Sequence, residues 1–216
     1  VYFKTEDELR LFTNQFYNNL VPSAVDIYSE SSDLIVKSDL MLEMSGQRII
    51  PDEGNGWNFT ALRDINFYLQ YSHNCTEVNA RNRYDGVARF FRAYFYFEKV
   101  KRYGDIPWYD KALDSDDPEL YKARDSREFV MQKMLEDLDF AIANLPKTKN
   151  AYVLTRWTAL ALKSRVCLFE GTFRKYHGLE DYEKYLNACV SASETFMNES
   201  GYTLYKSGST PYRDLF

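Results

Sequence analysis

The chain has 216 residues, of which 45% are hydrophobic and 17% aromatic, enough apolar surface for a sizeable core and too much for a disordered segment. Its formal net charge of −5, with Lys and Arg scattered and no basic run, argues against a nucleic-acid binder, which needs a concentrated positive face. The three cysteines, Cys75, Cys167 and Cys189, match no zinc or redox spacing and give no disulfide framework.

The predicted elements are helical throughout. The first opens on Thr5 with Glu8 three residues on, a capping-box pattern, and carries an apolar stripe of Leu9, Phe12, Phe16 and Leu20. Residues 21–56 are mixed: Pro22, Pro51 and the run EGNG mark loop, and DLIVK (33–37) reads as a short strand or a helical turn. A second helix is predicted over Phe59–Tyr71, with Leu62, Ile65 and Leu69 on one face, and a third over Thr76–Tyr103. Within that third helix, residues 88–103 hold seven Phe and Tyr on two stripes: Phe90, Ala93, Phe97 and Val100, and Phe91, Tyr94 and Phe95. A helix apolar on two sides is a central helix, so Arg89, Arg92, Glu98, Lys99, Lys101 and Arg102 must place their heads at edges or in ion pairs. Gly104 then ends the helix in the left-handed conformation, and Pro107 blocks its resumption.

A fourth helix is predicted to open near Asp125, with Glu128 three along. Its stripe is Met131, Leu135, Leu138, Ile142 and Leu145, and Pro146 stops it. A fifth runs from Thr155 to about His177 with Gly178 as C-cap, and a sixth over about 180–198 ends near Gly201. The tight turn between the last two fits a tetratricopeptide-like hairpin, although the strict 34-residue pattern is absent. The expected fold is all-α, an irregular helical domain with stacked antiparallel hairpins.

Three segments together resemble one family. WNFTALRDINFYL (57–69), ARFFRAYFYFEKVKRYGDIPWY (88–109) and RWTALALKSRVCLFEGTFRKYHG (156–178) are similar, in order and spacing, to the SusD/RagB-like outer-membrane nutrient-uptake lipoproteins. The second segment, Arg-Phe-Phe-Arg-Ala-Tyr-Phe closed by Tyr-Gly-Asp-Ile-Pro, resembles the family's most recognisable helix, and the third its helix ending in Glu-Gly-Thr. The resemblance implies an all-α fold with tetratricopeptide-like hairpins on the outer face of a Gram-negative outer membrane. It further implies capture of glycans, or of other nutrients such as peptides, and a SusC-like TonB-dependent transporter as partner. It implies no catalysis and no cofactor. Family members are longer, so residues 1–216 are expected to be their N-terminal helical domain. The C-terminal region and the lipid-bearing cysteine are then expected to lie outside this sequence, and so is any signal peptide. No window approaches the roughly 20 apolar residues of a spanning helix, so the membrane would be met only through that upstream anchor.

The candidate ligand-binding residues are Trp57, Asn55 and Asn58. An indole projecting from the turn-prone PDEGNG run can stack on the apolar face of a pyranose, and the two amides offer donor and acceptor to hydroxyls. Structural readings stand beside this one: Asn58 as helix cap with Trp57 stapled onto Leu62, and Trp108 packed in the core. No metal site is expected. His73 and Cys75 lack further ligands, and His177 sits at a helix C-terminus that suits an imidazolium. The acidic loop 114–119 offers oxygens to calcium but lacks the alternation and glycine of a calcium loop. The acids of Asp52–Glu53, Asp114–Asp116–Asp117 and Glu136–Asp137–Asp139 read as solvated. No facing carboxylate pair, phosphate loop or nucleophile elbow marks an enzyme. A helical protein-docking module is the competing reading, and it predicts exposed rings gathered in an apolar patch instead of a polar-rimmed cleft.

Overall fold

In the computed structural model, which describes residues 2–22, 42–49 and 56–215, α1 (Glu6–Leu20) starts as its sequence dictates. Thr5 accepts from the Glu8 amide and Glu8 reaches back to the cap, the capping box expected. A short turn of helix, α2 (Leu42–Ser45), precedes α3 (Thr60–Tyr71), α4 (Val78–Tyr103), α5 (Arg127–Asn144), α6 (Arg156–Tyr176) and α7 (Tyr182–Glu199). There is no strand among the described residues, only an isolated bridge between Ile106 and Asp125. The DLIVK segment, Pro51, Asn55 and the Asp52–Glu53 pair lie outside the described residues.

The chain divides into two units, Val1–Arg81 with Pro107–Arg124, and Asn82–Ile106 with Asp125–Phe216. In the first, α1 packs on α3. Leu9 and Phe16 of α1 and Leu62, Ile65 and Tyr68 of α3 are buried. Phe3, Phe12, Phe16, Phe67 and Tyr68 meet mostly edge to face, the preferred arrangement of aromatic quadrupoles. Leu69 of the expected stripe is only half-buried. The polar Asn66, 1% exposed, takes a core position next to it.

In the second unit, residue pairing fixes an antiparallel stack. Arg92 and Arg89 of α4 meet Asp137 of α5, and a Cβ on Gly86 would touch Leu145. Glu128 and Asp139 of α5 meet Arg174 and Lys163 of α6. Ser164 of α6 bonds Ser193 of α7 at 2.8 Å, and Arg156 reaches Glu199. The hairpin expected for the last two helices is thus present, closed at Gly178 with φ +65°. Both stripes of α4 are buried: Phe90, Phe91, Ala93, Phe95, Phe97 and Val100 all fall below a tenth exposed, with Tyr94 half-buried. Gly104 closes α4 at φ +71°, as its position requires.

Two sequence expectations need correction. The cap of α5 is Ser126, whose hydroxyl accepts from the Phe129 amide, and not Asp125. The Asp125 carbonyl is engaged by the Ile106 amide at 3.2 Å, which draws it out of the helix start. Asp137 is not solvated but 2% exposed, held by Arg92. Of the thiols, Cys75 and Cys167 are buried and Cys189 is half-buried; burial pushes the Cys167 thiol up to about 12, leaving it without thiolate character near neutrality.

The Glu-Gly-Thr end of α6 has a packing reason. A methyl group on Gly171 would lie 2.6 Å from Leu186 Cδ2, 2.8 Å from its Cγ and 3.2 Å from its backbone nitrogen. Alanine ordinarily stabilises a helix interior by about 1 kcal/mol relative to glycine. Here Gly171→Ala is expected to destabilise by about 1–2 kcal/mol, because overpacking against a neighbouring backbone outweighs propensity. An unchanged or raised denaturation midpoint would show that α7 can back away.

Candidate functional site

A cleft of about 640 Å³ opens in the first unit, between the start of α3 and the 107–124 segment. Its first wall is set by the turn before α3. Gly56 adopts φ +83°, its carbonyl accepts from the Asn58 amide at 2.9 Å, and Asn58 Oδ1 accepts from the Thr60 amide at 2.8 Å. That local bonding starts the helix and leaves Trp57 40% exposed beside the cleft.

The second wall is tied to the first by Asn66. Its Nδ2 donates to the carbonyls of Tyr109 at 2.8 Å and Lys111 at 3.3 Å. Arg63 Nε donates to the Leu113 carbonyl at 3.4 Å. Within the segment, Lys122 Nζ donates to the Trp108 carbonyl at 2.6 Å and Tyr109 Oη to the Leu120 carbonyl at 3.4 Å. Asp117 caps the 3₁₀ turn Pro118–Tyr121 by accepting from the Glu119 amide at 2.9 Å.

Trp57, Phe59 and Tyr109 form a continuous aromatic run along the cleft, edge to face at 5.3 and 5.8 Å between centroids. Arg124 lies over the Trp57 ring at 4.9 Å and Lys122 over Tyr109 at 5.1 Å, cation–π placements that fix the orientation of both ends. Leu62, Leu113 and Leu120 complete the apolar floor, and Arg63 and Lys111 join the polar rim. Apolar walls with a few convergent polar groups are the usual make-up of a small-molecule site.

Of the sequence candidates, Trp57 lines this cleft, Asn58 stands exposed beside it with its carbonyl engaged by Thr60, and Asn55 lies outside the described residues. Phe59, not Asn58, occupies the cap position of α3. The pair that a staple would join is therefore displaced from Trp57 and Leu62. Phe59, Arg63, Lys111 and Arg124 went unmarked in the sequence, since nothing local distinguishes them from other rings and surface cations. Trp108 is packed, 6% exposed.

Elsewhere the titratable groups have local partners. His73 Nδ1 contacts the Gln70 carbonyl at 2.9 Å. His177 Nδ1 contacts the Phe173 carbonyl at 2.7 Å and stacks on the Phe173 ring. Asp117 and Glu119 of the acidic loop pair with Lys111 at 3.6 and 3.1 Å, and the Glu119 bond raises the Lys111 pKa. Among the described residues, no group of three or more metal-ligating side chains occurs and no Asp or Glu lines the cleft.

Comparison with known proteins gives concordant results. A family model, SusD-like, described as starch-binding and associating with the outer membrane, matches residues 17–156. A SusD-like protein of Formosa agariphila is 26% identical over 134 residues, 62% of this chain and 24% of its own. The structure of a SusD superfamily protein from Bacteroides thetaiotaomicron superposes with a TM-score of 0.68 at 19% identity, covering 98% of this chain and 49% of that one. A laminarin-binding SusD-like protein superposes with a TM-score of 0.55 at 18% identity, covering 69% of this chain and 31% of that one. The chain thus spans less than half the length of each of these relatives.

Proposed function

The chain belongs to the SusD-like family, and from that membership we propose that it binds glycans at the cell surface and hands them to a SusC-like TonB-dependent outer-membrane transporter without turning them over. The observation that carries the binding role is the exposed edge of the aromatic run, Trp57 at a polar-rimmed cleft. Pyranose rings present alternating hydroxyl edges and C–H faces, and a ring bordered by guanidinium, ammonium and amide groups meets both. A docking face for another protein would instead gather its exposed rings into an apolar patch.

Hydrolysis of a glycan would need two opposed carboxylates across the sugar, and release of reducing ends is the readout that separates it from binding. The laminarin-binding relative supports a glycan ligand for this chain too. Attachment at the outer membrane through a lipid anchor upstream of these residues belongs to the same proposal; no helix among the described residues is long and apolar enough to cross a membrane.

Calorimetric titration against a panel of storage, plant and host polysaccharides tests the binding role. At least one is expected to bind without release of reducing ends. Trp57→Ala is expected to weaken it roughly tenfold, the scale of one lost aromatic contact, with the melting temperature unchanged. If no glycan in the panel binds, the reading fails. Co-purification of the full-length protein with a β-barrel from outer membranes tests the partner.

A further inference from the structure

We infer that the cleft selects acidic glycans, chains bearing carboxylate or sulfate groups; the inference rests on the glycan-binding reading above and names its ligand class. Among the described residues, the side chains lining the cleft include four cations, Arg63, Lys111, Lys122 and Arg124, and no carboxylate, in a chain whose net charge is −5. The local sign of charge is therefore opposite to that of the whole molecule.

The four cations are not equivalent. Lys111 is answered by Asp117 and Glu119, and Lys122 Nζ is engaged by the Trp108 carbonyl. Arg63 and Arg124 have no carboxylate partner among the described residues. Arg63 gives one N–H to the Leu113 carbonyl, and Arg124 rests on the Trp57 ring. A guanidinium stacked on an indole keeps its planar fork of donors available, and that fork matches the two oxygens of a carboxylate or sulfate.

Hydrogen-bond complementarity leads to the same ligand. Sugar hydroxyls donate as well as accept, so a site for neutral glycans needs acceptors. The polar side chains lining the cleft are mostly donors: two guanidinia, two ammonium groups and the Trp57 indole N–H, with the hydroxyls of Thr60 and Tyr109 able to accept, while Asn66 Nδ2 is already taken by the Tyr109 and Lys111 carbonyls. A donor-rich lining is best satisfied by an acceptor-rich ligand. The aromatic run then holds the C–H face of the same residue while Arg124, at its end, meets the acidic substituent.

The test uses the full-length protein with polygalacturonate as carboxylate probe, a carrageenan as sulfate probe, and laminarin and starch as neutral references. At about 20 mM salt at least one acidic polymer is expected to bind about fivefold or more tighter than the better neutral one. That gap should narrow at about 300 mM, where screening is stronger. Which acidic polymer shows the gap separates carboxylate from sulfate recognition. Arg124→Gln and Arg63→Gln, each at an exposed position, are expected to shrink the ratio of acidic to neutral affinity. Equal or preferential binding of the neutral glycans overturns this inference and leaves the glycan-binding role standing. Binding to none of the four, and to no other glycan, removes both.

Discussion

Glu170→Ala is expected to destabilise the second unit by about 3–5 kcal/mol, the range found when one partner of a buried ion pair is removed. Glu170 is fully buried and accepts from Arg127 Nε at 2.7 Å and Arg174 Nε at 2.8 Å. Those arginines are on the first turn of α5 and the last turn of α6. Arg174 continues the chain of contacts to Glu128 and to the Glu180 carbonyl, and Tyr185 at the start of α7 donates to Glu128 at 3.2 Å. Burial, and then the neighbouring Glu128 charge, push the Tyr185 pKa up, so the phenol stays protonated and able to donate at physiological pH. Glu128 thus carries the link to α7, while Glu170 ties the start of α5 to the end of α6. Without it, two guanidinium heads, largely withdrawn from water, lose their common counter-charge. Arg127 also rests 3.7 Å over the Phe173 ring, which leaves it little freedom to escape to solvent. Glu170→Gln keeps one acceptor and the shape, and should lose less. Urea denaturation followed by circular dichroism checks this: the midpoint should fall with the slope unchanged. A midpoint within experimental scatter of the parent would mean that burial of the pair contributes nothing net.

That network also marks the boundary of what the sequence reveals. Helix positions were legible because capping and termination chemistry is local. The Thr5–Glu8 box, the Thr155 cap and the left-handed glycines at 104, 178 and 201 each act within a few residues of where they are written. The double stripe of α4 was legible because periodicity reports burial on each side of a helix. What escaped were polar groups whose partners are distant in sequence. Asp137 sits among acids at 136 and 139 that face outward, and only the fold, by bringing Arg92 opposite, turns it inward. Asn66 interrupts an apolar stripe, and the carbonyls it ties are 43 and 45 residues away. The cleft divides in the same way. Trp57 was visible because a turn-prone run precedes it. Arg63, Lys111 and Arg124 became a cationic rim only when residues 107–124 folded back along α3.

Asp137 carries the second large expected effect. Its two oxygens accept from Arg92 Nε at 2.6 Å and Nη2 at 2.8 Å, a bidentate pair with both side chains below a tenth exposed, and Arg89 Nη1 lies 3.5 Å away. Arg92 stands on the doubly apolar α4, between Phe91 and Ala93, both fully buried. Charge alone would exclude a guanidinium from that position, so the pair exists because each head supplies, in a fixed bidentate geometry, the counter-charge that offsets the other's desolvation. Removing one member is thus unlike removing both. Asp137→Ala is expected to lower stability by about 3–5 kcal/mol by stranding Arg92, whereas Asp137→Leu combined with Arg92→Met should recover much of that loss. The double-mutant cycle distinguishes a pair that stabilises from one that merely must be matched. If the double variant is as unstable as Asp137→Ala, the pair contributes net stability. If it approaches the parent, the Arg-x-x-Arg spacing of α4 specifies the register of α4 against α5 instead. Arg89 favours the second outcome. Its guanidinium already rests 4.2 Å over the Phe140 ring as well as beside Asp137, which gives it a position to keep when the carboxylate is gone.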